Sequence, residues 1–388
     1  MNLLGSNAFA FILSISTVIL LTINYIYNKS PSSIALFSSI DYKVYAPPRA
    51  YVVMGADTNH IYLFPLIVTI RNWKRTNVNS ILCFAEPREN FMRDEATRFI
   101  FETIIAEEGV QYIFLNTSLS PKHTITQTCR LYITASPEIK LNDEDLLITS
   151  DSDFWILHIE EHLPHGNQKI LTYGIGCCGK INKPKTPKKI VPNLPMSTIC
   201  MKAKLWREII GVSKNWLTDG DVLARRLYEE FDDVEFIRNG TGKPKISKSW
   251  YADQMIVSER IADWIKRDGN EKDLGRYQWF GRTKRLDRAW WKNDFSKVDL
   301  SRFHDVHILH PLGEPNNWKR TLPLLKKMFN KSDVEWFERI HEEYASVAVF
   351  PPQTTPSPRP IRRRFVSSNE KLAAFSKLST LTHFPRLR

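Results

Sequence analysis

Two carboxylates, Asp151 and Asp153, flank Ser152 in the middle of the chain. They follow the apolar run Leu146-Leu147-Ile148-Thr149 and precede Phe154-Trp155-Ile156-Leu157. A D-x-D triplet on its own is common; the apolar setting is what makes this one informative. Two unpaired carboxylates there repel each other and are costly to desolvate. A divalent cation relieves both costs, and hard Mn²⁺ or Mg²⁺ prefers such oxygen ligands while keeping positions open for phosphate oxygens. A metal so placed would act as a Lewis acid for charge building up on a leaving group. The plainer alternative is a strand-terminal Asp that caps the next element.

Further candidates stand on either side. Arg130 lies in Gln127-Thr-Cys-Arg-Leu-Tyr, Asp253-Gln254 in a helical stretch, and His310-Pro311-Leu312-Gly313 near the end of the folded region, with His307 just upstream. Each has an ordinary reading: a paired arginine, a solvated helix residue, a hydrogen-bonded histidine. Asp219-Gly220-Asp221 is a second D-x-D, but it opens a helix, where capping and dipole complementarity explain it. The loop Ala56-Asp57-Thr58-Asn59 ends a β-rich run, which makes Asp57 a candidate for a nucleotide pocket.

The elements that must position these residues read as alternating strands and helices. Ala50–Gly55 is a strand, and a helix runs through Ile70–Lys74. Ser80–Ala85 is a strand, and Arg93–Gly109 an amphipathic helix with Gly109 as its C-cap. Val110–Leu115 is again a strand, Gln127–Ala135 a helix, and Leu146–Thr149 a buried strand leading into Asp151. Later come a strand at Met196–Met201 and helices at Lys204–Ile210, Asp221–Phe231 and Ser249–Arg267. A strand at Val306–His310 completes the set. The β-α-β-α-β alternation predicts an α/β fold with a doubly wound, mainly parallel sheet flanked by helices, and ligands at the carboxyl ends of its strands.

The order Arg130, Asp151-Ser152-Asp153, Asp253-Gln254, His310-x-x-Gly313 and Trp318 resembles that of the GT-A glycosyltransferases, especially the glycogenin-like and lipopolysaccharide-glucosyltransferase group. The resemblance spans about residues 50 to 320 and implies a GT-A fold, a nucleotide-sugar donor (most simply UDP-linked) and a hydroxyl acceptor on a glycan, glycoprotein or glycolipid. It also implies that Asp151, Asp153 and His310 hold Mn²⁺ or Mg²⁺, and that Arg130, Asp151 and Gly313 contact the donor, alongside Asp57 as the nucleotide-pocket candidate from its place at a strand end. Gly313 would let the backbone approach the diphosphate closely, and Asp253 would be the catalytic residue at the transferred sugar or acceptor. Two departures stand out. The family's Lys-Pro-Trp after the glycine is replaced by Glu314-Pro315-Asn316-Asn317-Trp318, leaving Lys319 or Arg320 as substitutes for its lysine, and Met255 stands where a second Asp would follow Gln254. A non-catalytic, membrane-anchored binding protein with a degenerate GT-A fold is the alternative that these departures support.

Composition bounds the remainder. The net charge of +12 suggests a nucleic-acid partner. However, the chain from Pro351 onward holds eight Lys/Arg against Glu370 alone, and no aromatic-interleaved basic stripe precedes it. No nucleic-acid partner is expected. Residues 8–27 are almost wholly apolar, and a helix of that length rises about 30 Å, enough to cross a bilayer. A cleaved signal peptide is the rival, with a shorter apolar run as its norm. The expected organisation is a cytosolic tail at 1–7, a transmembrane signal anchor at 8–27, a stem at 28–48, a GT-A-like catalytic domain at 49–345 and a Pro/Arg-rich tail at 346–388. Sequons at Asn28, Asn116, Asn239 and Asn330 and five cysteines suit a lumenal domain on a single-pass type II protein of the ER or Golgi. No CxxC spacing marks a zinc site among Cys83, Cys129, Cys177, Cys178 and Cys200.

Overall fold

A computed structural model describes residues 49–175, 180–182, 190–231, 251–269, 271–278, 284–288, 291, 295 and 298–350. The expected anchor, stem and most of the tail lie outside these residues, as do Asn28, Asn239, Cys177 and Cys178. Among the described residues no helix is long and apolar enough to cross a membrane.

The chain forms a mixed α/β structure around a seven-stranded sheet. Strands β1 (Ala50–Ala56), β2 (Val78–Phe84), β3 (Gln111–Phe114) and β4 (Leu146–Thr149) form its parallel half, with β1 between β2 and β4. A short strand β5 (Phe154–Ile156) follows the Asp151–Asp153 segment and leaves this sheet. β6 (Ile170–Ile175), β9 (Ile199–Lys202) and β10 (Leu274–Gln278) complete the sheet in the order β10-β6-β9-β4-β1-β2-β3. Between them in sequence, β7 (Lys180–Asn182) and β8 (Ile190–Pro192) pair as a separate two-stranded ribbon. β9 runs antiparallel to both of its neighbours, β4 and β6, so the sheet is mainly rather than wholly parallel.

Alternation along β1 explains the layering. Val52, Met54 and Ala56 face one buried cluster, and Tyr51 and Val53 face a second on the opposite side of the sheet. Helices α1 (Pro65–Lys74), α2 (Glu95–Ile105), α7 (Pro315–Met328) and α8 (Lys331–Val347) cover the first face. Helices α3 (Lys122–Tyr132), α4 (Ala203–Ile210), α5 (Gly220–Phe231) and α6 (Ala252–Arg267) cover the second. Cys83, Cys129 and Cys200 are buried free thiols within these layers.

Several element ends differ from the sequence reading, for local reasons. α2 starts at Glu95 because Asp94 caps it, its Oδ1 accepting from Thr97 N at 2.8 Å. The helix ends at Ile105, and Gly109, at φ +85°, serves the turn into β3 rather than a helix C-cap. α3 begins five residues before the expected Gln127 and ends at Tyr132, where a 3₁₀ turn (Ile133–Ala135) takes over. Asp219 is the residue that caps α5, accepting from Val222 N at 2.8 Å.

A small three-stranded second sheet, with β5 at one edge, matters most for the site. β12 (Asp305–His307) pairs parallel to β11 (Arg285–Asp287) and antiparallel to β5. A buried ion pair staples it: Arg285 Nε donates to Asp305 Oδ1 at 2.6 Å, and the guanidinium lies 4.6 Å from the Phe154 ring centroid. α1 clamps the same segment from the other side. Thr69 Oγ1 donates to the Ser152 carbonyl at 2.6 Å, and Asn72 bonds both the N–H and the C=O of Ile156. Every polar backbone group that this irregular stretch buries must find such a partner, and the clamp fixes its path.

Candidate active site

The Asp151–Asp153 turn opens into a cavity of about 560 Å³ at the carboxyl ends of β1 and β4. Gly55 at the end of β1 allows α3 to press onto this edge: a Cβ there would sit 1.8 Å from the Thr126 carbonyl oxygen. The close approach sets Arg130, on α3, beneath the cavity floor.

Arg130 is almost wholly enclosed and spends its donors on the site. Its Nη1 donates to the Ser150 carbonyl and to Asp151 Oδ1, both at 2.7 Å; Nη2 donates to Asp253 Oδ2 at 2.7 Å; Nε donates to the Gln127 carbonyl at 3.1 Å. Burial disfavours the charged guanidinium, but Asp151 and Asp253 outweigh it and hold Arg130 firmly protonated. Asp253, on α6, also accepts from Gln254 N at 2.7 Å through Oδ1, so both of its oxygens are engaged.

Asp153 occupies the other side of the turn. Its Oδ2 accepts from Arg288 Nη1 at 2.6 Å and lies 3.3 Å from His307 Nε2, while His307 Nδ1 lies 3.2 Å from Asp287 Oδ2. Burial acts to raise the Asp153 carboxyl, yet His307 and Arg288 overcome it and hold the group well below the usual carboxylate range. The reciprocal effect shows at His307, where burial is outweighed by the Asp153 charge and the ring is pushed up to about 9. At the far rim, Asp57 Oδ1 accepts from Asn59 N at 2.9 Å, and burial lifts its carboxyl above the ordinary value.

Asp57, Arg130, Asp151, Asp153 and Asp253 therefore border one cavity. His310 stands close by, its ring centroid 5.9 Å from that of the cavity residue Tyr62. Gly313 does not border it. A Cβ on Gly313 would meet Tyr344 at 2.6 Å and Phe64 at 3.3 Å, so the glycine makes room for aromatic packing rather than for a diphosphate. Lys319 and Arg320, the substitutes considered for a family lysine, lie exposed on α7 outside the cavity.

Sequence reasoning did not find Arg288, His307, Gln127 or Gln254 as cavity residues. The last two carry buried side-chain oxygens without a hydrogen-bond partner among the described residues. Unpaired acceptors at a cavity wall suit a ligand rich in hydroxyl donors. A sequence signal existed for His307, the His-x-x-His spacing to His310, but only the β12–β5 pairing turns it toward Asp153.

The donor types here suit a hard divalent metal, but the side chains are not gathered for one. Asp151 and Asp153 each pair with an arginine, and no group of three or more ligating side chains converges among the described residues.

No protein-family model and no curated protein matches the chain. Similar solved structures include the galactosyltransferase LgtC in complex with donor and acceptor sugar analogues, at 14% identity and a TM-score of 0.37, covering 78% of this chain and 98% of that one. The bifunctional glycosyltransferase WbbM, in its apo form, is 11% identical with a TM-score of 0.38, over 76% of this chain and 52% of that one. The glycosyltransferase GlyE of Streptococcus pneumoniae TIGR4 is 13% identical with a TM-score of 0.35, over 80% of this chain and 66% of that one. At TM-scores below 0.5 the likeness is loose, and the function has to be read from the site's own residues.

Proposed function

We propose that the chain is a GT-A-type glycosyltransferase that moves a sugar from a nucleoside-diphosphate donor, most simply UDP-linked, to a hydroxyl of a glycan, glycoprotein or glycolipid. The observation that carries this reading is the cavity at the ends of β1 and β4. It combines carboxylates, the arginines Arg130 and Arg288, and orphaned amide oxygens in a volume suited to a nucleotide-sugar. In the transfer the bond from the anomeric carbon to the diphosphate oxygen breaks, and its electron pair leaves with the diphosphate. The acceptor oxygen bonds to that carbon, and its proton passes to the departing diphosphate, which leaves as the nucleoside diphosphate. Cations fixed near the departing oxygen favour this charge movement.

Residue roles follow from the contacts. Asp253, with both oxygens bonded, positions Arg130, and Arg130 in turn fixes Asp151 at the cavity mouth. Asp57 and the loop after β1 lie where the nucleotide would enter. Asp151, Asp153 and His310 are the side chains that would hold Mn²⁺ or Mg²⁺, a role requiring Arg130 and Arg288 to release the carboxylates; no step above depends on it. We further place the protein in an ER or Golgi membrane with its folded region lumenal. The apolar stretch 8–27 and the exposed sequon asparagines Asn116 and Asn330 support this.

The test is transfer or hydrolysis by the purified chain across a panel of nucleotide-sugars, with Asp153→Ala beside it. Asp153→Ala is expected to lower turnover at least about 100-fold, as loss of a charged group from a polar site does, and to retain a cooperative thermal transition. A folded Asp153→Ala variant with wild-type turnover would overturn the reading, and so would absence of activity with every donor.

A further inference from the structure

Among the described residues, three strongly basic side chains border the cavity: Lys122, Arg130 and Arg288. Two are already committed. Lys122 Nζ serves Thr58 Oγ1 and both Glu86 carboxylate oxygens, each at 3.3 Å. Arg130 has Nε and both terminal nitrogens bonded, and is enclosed. Arg288 differs. Only its Nη1 is used, toward Asp153 Oδ2 at 2.6 Å and the Ile308 carbonyl at 3.4 Å. Its Nε and Nη2 carry no hydrogen bond among the described residues, and its side chain remains 31% exposed.

We infer that Arg288 is the anion-binding residue of this cavity, holding the diphosphate of the donor through the free edge of its guanidinium. The inference rests on the glycosyltransferase reading and deepens it. A planar guanidinium offers paired N–H donors that match two phosphate oxygens, which a point-charge ammonium does not. Asp153 and β11 anchor one end of the fork, so little side-chain freedom remains to be lost when phosphate arrives. The position also accounts for the absence of a basic residue at Glu314-Pro315-Asn316-Asn317: the positive charge comes from the strand pair β11–β12 instead of from the start of α7. Because Arg288 is a cation already at the site, diphosphate binding does not require a metal to be present.

The decisive measurement is calorimetric titration of the full chain, solubilised in mild detergent, with UDP and GDP and with uridine and guanosine. Each titration is made in EDTA and again in Mn²⁺. The wild type is expected to bind at least one of the diphosphates in EDTA. Arg288→Gln should weaken that binding about 10- to 100-fold, the range for a charged hydrogen bond, and leave the corresponding nucleoside unaffected. Arg288→Lys should fall between the two, and it carries the comparison if Arg288→Gln does not fold. Diphosphate affinity unchanged in a folded Arg288→Gln or Arg288→Lys protein overturns the role of Arg288 and leaves the glycosyltransferase reading standing. A wild type that binds neither diphosphate, with or without Mn²⁺, overturns both.

Discussion

At the scale of single residues, the site is governed by how each charge is neutralised. Asp153 and His307 form a pair in which each holds the other in its charged form, and this has a sign that can be measured. His307 titrates near 9 in the folded chain against an ordinary 6.5, so its stabilisation is full below about pH 6.5 and is lost as pH climbs through 9. Asp153 is shifted the other way, so its contribution is full above the ordinary 3.8 and is lost on acidification. Urea unfolding of wild type and His307→Gln should therefore show the widest stability gap near about pH 6 and a narrower one near about pH 9.5. A gap that stays constant between those values would show that the pairing carries no net free energy. The sequence made Asp151 and Asp153 readable because carboxylates after an apolar strand are a local signal, whereas Arg130 and Asp253 stood out only through the order of motifs that resembles the GT-A glycosyltransferases. Arg288 gave no signal: one arginine among many becomes special only when tertiary pairing turns it toward Asp153.

Among elements, local periodicity foretold the parallel half of the sheet but only one strand of the small one, β12, expected at Val306–His310. Apolar runs marked β1, β2, β3 and β4 because strands buried on both faces are nearly continuous in hydrophobic residues. β5, β11 and β12 are three residues each, and β5 joins β12 across some 150 residues of chain. No windowed pattern encodes such a pairing. The clamp from α1 was equally hidden, although it gives Thr69 a testable part. Thr69→Val keeps the shape but strips the donor from the Ser152 carbonyl and the acceptor from Trp155 Nε1. Stability should fall by about 1–3 kcal/mol for buried polar groups left unpaired. Turnover should fall more than donor KM rises, since the Asp151–Asp153 turn loses its fixed path. Unfolding and kinetics equal to wild type would show that the remaining bonds to Asn72 position the turn on their own.

On the scale of the whole molecule, two cores share one sheet, and the cavity lies at its edge where the layers meet. A lumenal setting makes a prediction about the intact chain in eukaryotic cells. It should resist carbonate extraction from membranes and lose mass on treatment with peptide N-glycosidase. Part of that loss should disappear in Asn116→Gln, because Asn116 is exposed beyond β3. At Asn330 the side-chain oxygen caps α8, accepting from Asp333 N at 2.8 Å. The cap uses the oxygen and not the amide nitrogen to which a glycan attaches. A chain released by carbonate and indifferent to the glycosidase would remove the protein from the secretory membrane.

The three enclosed thiols have a practical meaning for such a molecule. Burial raises the pKa of Cys83 and Cys200, which suppresses the thiolate that reacts, and the surrounding layers exclude reagents. Maleimide can reach these sulfurs only while the layers part, so alkylation at Cys83, Cys129 and Cys200 records how often the molecule opens. One thiol sits on β2, one on α3 and one on β9, and the three rates together would time the breathing of separate strands and helices without any introduced probe.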